Sequence, residues 1–173
     1  PVQSGDDGIL AAMNRGYTRE DFARLVARVR SAWPDAAITT DIMVAFPGET
    51  DEQFQHTVDF ARQMAFSRAH VFPYSPRPGT PAAARKDRVP SHTATERTQQ
   101  MLAVARDLAR DAARSWVGKT VSVLFEEREK SGRLTGLTEH YARVSCTAPK
   151  ELIGRSAEVI PHEELAGVLL AEL

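Results

Sequence analysis

Cysteine occurs once in the 173 residues, as Cys146. A single thiol excludes an internal disulfide, and it cannot by itself hold a multi-cysteine zinc or iron–sulfur site. Set in an apolar alternating segment, Cys146 reads as a small buried side chain. Long apolar runs are also missing. None approaches the roughly 20 residues that a membrane-spanning helix needs, and no secretory or transit pattern opens the chain. No membrane association and a cytoplasmic location are therefore the expectation. A surplus of positive charge is absent too: 22 Lys and Arg against 23 Asp and Glu give a formal net charge of −1. Binding to nucleic acid through bulk charge is excluded on that balance. There is no GxGxxG, no P-loop and no nucleophile with an evident base. The histidines at 56, 70, 92, 140 and 162 follow no metal-ligand spacing and read as surface or satisfied core residues.

What is present is ordinary globular composition, 42% hydrophobic and 26% charged. Three helices declare themselves at their starts. Thr18, Thr50 and Thr93 each precede a short acidic stretch, where a hydroxyl can cap free backbone N–H groups. The second and third have the full Thr-x-x-Gln/Glu spacing of a capping box. Apolar stripes at helical spacing follow: Phe22, Leu25, Val26 and Val29; then Phe54, Val58, Ala61 and Ala65; then Met101, Val104, Ala105, Leu108, Ala112 and Trp116. Gly118 stops the third. A shorter helical turn is expected over 9–13.

Two β-rich runs lie between the helices. In 37–46, Ile38, Thr40, Ile42, Val44 and Phe46 share one face, and Thr39, Asp41, Met43 and Ala45 the other. Residues 68–74 form the second run. Alternation of helix and strand points to parallel βα units. Pro1-Val2-Gln3-Ser4-Gly5 reads as the end of another strand with nothing before it, so the chain is expected to be a fragment. Residues 76–92 hold four prolines and read as a long ordered connection. Beyond Gly118, short strands over 121–125, 134–137, 141–145 and 156–160 suggest a small closed β-barrel. The expected boundary is near Gly118.

The segment Asp41-Ile-Met-Val-Ala-Phe-Pro-Gly-Glu49-Thr50 runs from a strand through a Pro-Gly turn into a capped helix. In a parallel barrel that turn lies on the C-terminal rim, where such folds place their sites. Asp41 and Glu49 bring two carboxylates there. They read either as acceptors for an amine or ribose hydroxyls, or as a structural acceptor and a solvated loop acid. Tyr74 and Arg77, after the next strand, suit stacking and phosphate or carboxylate contact. A rigid proline-braced loop is the alternative reading of that segment.

Three segments in order, PVQSGDDGILAAMNRGYT, TTDIMVAFPGETDEQF and HVFPYSPRPGTPAA, resemble consecutive motifs of the radical S-adenosylmethionine methylthiotransferases. The stretch 119–173 is similar to the TRAM domain that ends those enzymes. Within the family, HVFPYSPRPGTPAA and Gly136-Leu-Thr-Glu-His-Tyr141 most resemble the tRNA branch acting on threonylcarbamoyladenosine beside the anticodon. The isopentenyladenosine-specific branch is the near alternative. The resemblance implies an α/β fold: the C-terminal half of a partial (βα)6 barrel over 1–118, then an all-β TRAM barrel over 119–173. It also implies S-adenosylmethionine and two 4Fe–4S clusters in the intact enzyme, with no cluster ligands in this chain, which alone would be inactive. The partners it implies are tRNA and the missing N-terminal part of the same protein. Gln3, Ser4, Arg15, Asp41 and Glu49 would serve the cofactor, with Arg15 facing its methionyl carboxylate. Tyr74, Ser75 and Arg77 would lie near the substrate adenosine. Two departures stand out: the family usually has Ser where this chain has Asp6, and Gly where it has Ala45.

Segment 119–173 carries seven Lys and Arg against nine Asp and Glu, so its own balance is acidic. RNA binding there requires a local patch, for which Arg133, Tyr141 and Arg143 are the candidates. A packing module that braces the barrel is the other reading. A non-catalytic RNA-binding module is likewise the alternative for the whole chain.

Overall fold

A computed structural model describes all residues, 1–173. The chain divides into two compact units, Pro1–Arg106 and Asp107–Leu173. The division lies within the longest helix. No helix is long and apolar enough to cross a membrane.

In the first unit, α1 (Asp7–Ala12) and α2 (Arg19–Ala32) precede β1 (Thr39–Val44), α3 (Asp51–Met64), β2 (Arg68–Pro73) and α4 (Ser91–Arg114). β1 and β2 pair in parallel, Thr39 opposite Arg68 through Val44 opposite Pro73. The expected stub is real: Gln3 bridges Ile42 in parallel, its N–H donating to the Asp41 carbonyl at 2.9 Å. Alternation along β1 works as expected. Thr40, Ile42 and Val44 are buried, while Thr39, Asp41 and Met43 face outward to differing degrees. With them on the open face lie exposed Arg68 and His70 of β2. The proline-rich connection contains only a short 3-10 helix, Pro81–Ala84.

Caps explain where the helices begin. Thr18 with Asp21, and Thr50 with Gln53, form reciprocal capping boxes. The third expected box does not form. α4 starts at Ser91, and the Pro90 carbonyl accepts the Ala94 N–H at 2.9 Å, which leaves Thr93 inside the first turn. Proline fixes the backbone just ahead of the helix and so moves its start upstream. Of the α2 stripe, Val26 is buried but Leu25 is 53% exposed. The α3 stripe is buried through Phe54, Val58 and Ala61, and ends at Ala65, a left-handed C-cap with φ 46°.

The second unit holds the last turns of α4 and six strands: β3 (Val121–Arg128), β4 (Leu134–Thr138), β5 (Arg143–Thr147), β6 (Ser156–Val159), β7 (Glu163–Leu165) and β8 (Val168–Glu172). Their order is β6-β3-β4-β5-β8-β7, antiparallel throughout except for β5 and β8. No ladder joins β6 to β7, so hydrogen bonding leaves two edges where a closed barrel was expected. Val121, Val123, Phe125, Leu134, Val144, Cys146 and Leu169 fill the core, and Cys146 is buried as expected. The end of α4 is tied to the β7–β8 hairpin by Arg114, which donates to the nearly buried Glu164 carboxylate at 3.1 Å. The Trp116 ring stacks on His140 with centroids 4.0 Å apart.

Candidate functional site

The C-terminal ends of β1 and β2 lie side by side, as a parallel pair requires. The chain leaves β1 through Ala45, whose φ of 59° is left-handed. For a residue with a Cβ that conformation costs about 1–2 kcal/mol, so something must hold it. The Ala45 N–H donates to Glu49 Oε2 at 2.7 Å. Glu49 in turn is met by Arg97 of α4. One guanidinium nitrogen donates to both the Glu49 carbonyl and Oε2, each at 2.9 Å, and the other donates to Asp51 Oδ1 at 2.6 Å. The Arg97 and Glu49 side chains are 7% and 0% exposed, whereas that of Asp51 is 94% exposed. The guanidinium also lies 5.5 Å over the Phe54 ring. Burial raises the Glu49 carboxyl above its ordinary range, by more than the Ala45 N–H and Arg97 pull it down, and the charge of Asp6 adds to the rise. Glu49 Oε1 is buried without a hydrogen-bond partner.

Glu49 is therefore not a solvated loop acid: Oε2 is engaged by the Ala45 N–H and Arg97, and Oε1 has no partner. The residue is the core of a buried brace. Arg97 was not singled out from the sequence, although its place one turn before Met101 on the buried stripe was a usable signal. An arginine on an inward face needs a carboxylate.

Other expected cofactor residues differ in availability. Asp41 lies mid-strand on the open face, its side chain 47% exposed and its Oδ1 3.7 Å from His70 Nδ1. Gln3 sits at the centre of a tight turn with φ 65°, closed by the Ser4 N–H donating to the Val2 carbonyl at 2.8 Å. This γ-turn is of the rarer, strained hand. Ser4 is fully buried and shares a hydrogen bond with Thr57 at 3.1 Å, so its hydroxyl is committed to packing the stub on α3. Arg15 is exposed after α1.

Asp6, the first family departure, caps α1. It accepts from the Ile9 N–H at 3.0 Å, from His56 Nδ1–H at 2.8 Å and from Gln53 at 3.1 Å. Burial pushes its carboxyl up, but the His56, Ile9 and Gln53 contacts outweigh that, and it titrates below its ordinary value. A lowered carboxyl contributes stability above the unfolded-state pKa and loses it as pH falls through the folded one. Asp6→Asn, which keeps the cap but not the charge, is expected to flatten the loss of melting temperature below about pH 4. A melting series at several acidic pH values checks this; parallel curves for both proteins would refute it.

On the second rim segment, the Tyr74 N–H donates to the Val44 carbonyl at 2.8 Å, and its ring packs edge-on against Phe46 at 5.4 Å. The Tyr74 hydroxyl is buried without a partner. Ala45, Pro47, Tyr74 and Thr98 are among the residues lining a cavity of about 460 Å³. Ser75 and Arg77 are exposed on the following loop.

The patch expected in the second unit is not one patch. Antiparallel register sets Leu137 opposite Arg143 and Leu134 opposite Cys146, which puts Arg133 at the far end of the β4–β5 pair from Tyr141 and Arg143. Arg133 is also spent within the sheet: it donates to Ser145 Oγ and Thr147 Oγ1 at 3.0 and 2.9 Å, and to the carbonyls of Ser145 and Ala171 at 2.8 and 3.0 Å. Tyr141 and Arg143, at the other end, are both exposed. Tyr141 is 67% exposed on a turn with φ 61°.

Neither unit contains a group of three or more His, Cys, Asp or Glu placed to hold a metal ion. Cys146, the single thiol, is buried.

Comparison with known proteins bears on these rims. Residues 1–61 match the Radical SAM superfamily. A tRNA-2-methylthio-N(6)-dimethylallyladenosine synthase from Geobacillus thermodenitrificans (strain NG80-2) is 42% identical over 175 residues, covering 100% of this chain and 34% of the relative. The Bacillus subtilis (strain 168) protein of that name is 43% identical over 161 residues, 92% of this chain and 32% of its own length. The one from Jannaschia sp. (strain CCS1) is 42% identical over 174 residues, 100% of this chain and 38% of its own length. The chain thus spans about a third of the length of the curated relatives it matches. These names overturn the expected threonylcarbamoyladenosine branch in favour of its alternative, because dimethylallyl is the isopentenyl group. The two short segments behind the first choice weigh little against identity along the whole chain. Along its length this stretch of sequence is thus similar to the named synthases, and over residues 1–61 to the Radical SAM superfamily.

Proposed function

We propose that this chain is the C-terminal part of an enzyme that adds a methylthio group to N6-dimethylallyladenosine in tRNA. Its likeness along the full chain to synthases named for that product carries the reading. In the intact protein two 4Fe–4S clusters and S-adenosylmethionine supply the radical chemistry and the methyl group, with the cluster cysteines in the remaining sequence. The open face of β1 fits the cofactor at Asp41, whose half-exposed carboxylate is free to accept from an amine or from ribose hydroxyls. Arg15 is free to meet a carboxylate, and Gln3 shapes the adjoining edge through its strained turn. Ser4 and Glu49 act by packing and bracing. Tyr74, Ser75 and Arg77 form the substrate side of the rim. Residues 119–173 serve as a TRAM-type RNA-binding unit, with Tyr141 for stacking and Arg143 for phosphate, while Arg133 staples β4, β5 and β8.

Mass spectrometry of tRNA nucleosides from a strain deleted for the gene tests the proposal. The methylthiolated dimethylallyladenosine should vanish and its unthiolated precursor accumulate. Unchanged nucleosides, or a coding sequence without a CxxxCxxC motif ahead of Pro1, would defeat it.

A further inference from the structure

We propose that Arg97 is a positioning residue for the S-adenosylmethionine site, acting through Glu49 on the backbone at the end of β1. The inference rests on the reading that this rim holds the cofactor.

Ala45 is the last residue in line with the open face of β1, and it lines the cavity that Tyr74 also lines. Its left-handed backbone decides where the chain turns after β1 and which way the Ala45 peptide faces. Nothing in the sequence of the turn enforces that state, since alanine disfavours it. The hydrogen bond from the Ala45 N–H to Glu49 Oε2 does enforce it. The Phe46 carbonyl accepts the Glu49 N–H at 2.9 Å across the Pro-Gly turn, and Arg97 grips Glu49 twice more, at the side chain and at the main-chain carbonyl. Gly48 is fixed from the other side, its N–H donating to the Asp87 carbonyl at 2.7 Å. The Glu49 carboxylate that fixes Ala45 is therefore oriented from outside the turn, by a helix that starts more than forty residues later. A planar guanidinium can reach the carboxylate and the carbonyl with one nitrogen and Asp51 with the other. A lysine ammonium in its place keeps the charge and loses this geometry.

The test uses the full-length protein, with its clusters, as wild type, Arg97→Lys and Glu49→Gln. Equilibrium binding of S-adenosylmethionine and steady-state kinetics on tRNA bearing N6-dimethylallyladenosine are both measured. Arg97→Lys should weaken cofactor binding about tenfold and raise the cofactor KM in step, while kcat at saturating cofactor stays within about twofold. Glu49→Gln keeps an oxygen for the Ala45 N–H, so its binding loss should be smaller than that of Arg97→Lys. Equal cofactor affinity in wild type and Arg97→Lys overturns the inference. So does a fall in kcat at constant KM that tracks the folded fraction, because that is what a purely structural role produces. A wild type that binds the cofactor but leaves this tRNA unmodified defeats the proposed reaction instead, and the binding comparison still decides the role of Arg97. A wild type that binds no S-adenosylmethionine overturns both.

Discussion

Arg97→Met should destabilise the first unit by about 3–5 kcal/mol, the cost of leaving one partner of a buried ion pair without the other. The Glu49 side chain is fully buried and Arg97 is the one cation paired with it, so the variant strands a buried carboxylate. The pair to Asp51 adds little to this figure, since that carboxylate is 94% exposed and screened. The sign of the pH dependence follows from Glu49. Its folded-state pKa is already raised, by burial first, and removal of Arg97 raises it further. A carboxyl with a raised folded pKa contributes stability below the unfolded value and loses it as pH rises through the folded one. The variant should therefore be closest to wild type in mild acid and fall away toward neutral pH. Urea midpoints at a series of pH values measure this. The double variant Arg97→Met, Glu49→Gln, which removes the stranded charge and keeps an acceptor for the Ala45 N–H, should recover part of the loss. A double variant no more stable than Arg97→Met would mean that the buried charge is not what matters.

How far the sequence foretold this brace depends on the range of each interaction. Thr18 with Asp21 and Thr50 with Gln53 lie three residues apart, and local geometry suffices to read them. The faces of β1 were legible for the same reason, because period-two burial is a property of the strand itself. Thr93 carried the same cap pattern and failed, since Pro90 set the helix start a turn earlier. Glu49 and Arg97 are 48 residues apart, and nothing near Glu49 tells a solvated acid from a buried one. The same limit applied to the second unit. Arg133, Tyr141 and Arg143 look like neighbours in a short segment, yet antiparallel pairing sends Arg133 to the other end. β7 and β8 were both overlooked, and β8 finds its parallel partner in β5, which precedes β6 and β7 in the chain. The branch of the family was misread from two short segments for a related reason: few residues carried the choice.

Gly136→Ala should cost about 3 kcal/mol, the upper end of what overpacking does, and its effect should be confined to the β-sheet unit. Gly136 has ordinary extended backbone within β4, opposite Phe125 on one side and Val144 on the other. Conformation is therefore no obstacle to alanine there; space is. A Cβ would fall on the Leu124 carbonyl oxygen, 2.8 Å from its carbon and 3.0 Å from the Phe125 Cα. These are backbone atoms, which cannot rotate aside as a side chain would. The close approach comes from the register shift between Phe125 and Glu127, where β3 bulges against β4. Alanine must force β3 and β4 apart and open the core that Phe125 and Leu134 share. Cys146 reports on that opening. It pairs with Leu134, is fully buried, and burial holds its thiol above its ordinary pKa, so in the native sheet it should resist labelling. As the single cysteine of these residues, it gives an unambiguous rate. Reaction with a thiol reagent under native conditions should be about a hundredfold faster in Gly136→Ala, which corresponds to roughly 3 kcal/mol of easier opening. Equal labelling rates would show that the bulge can absorb a methyl group, and that Gly136 is not what sets the spacing of β3 and β4.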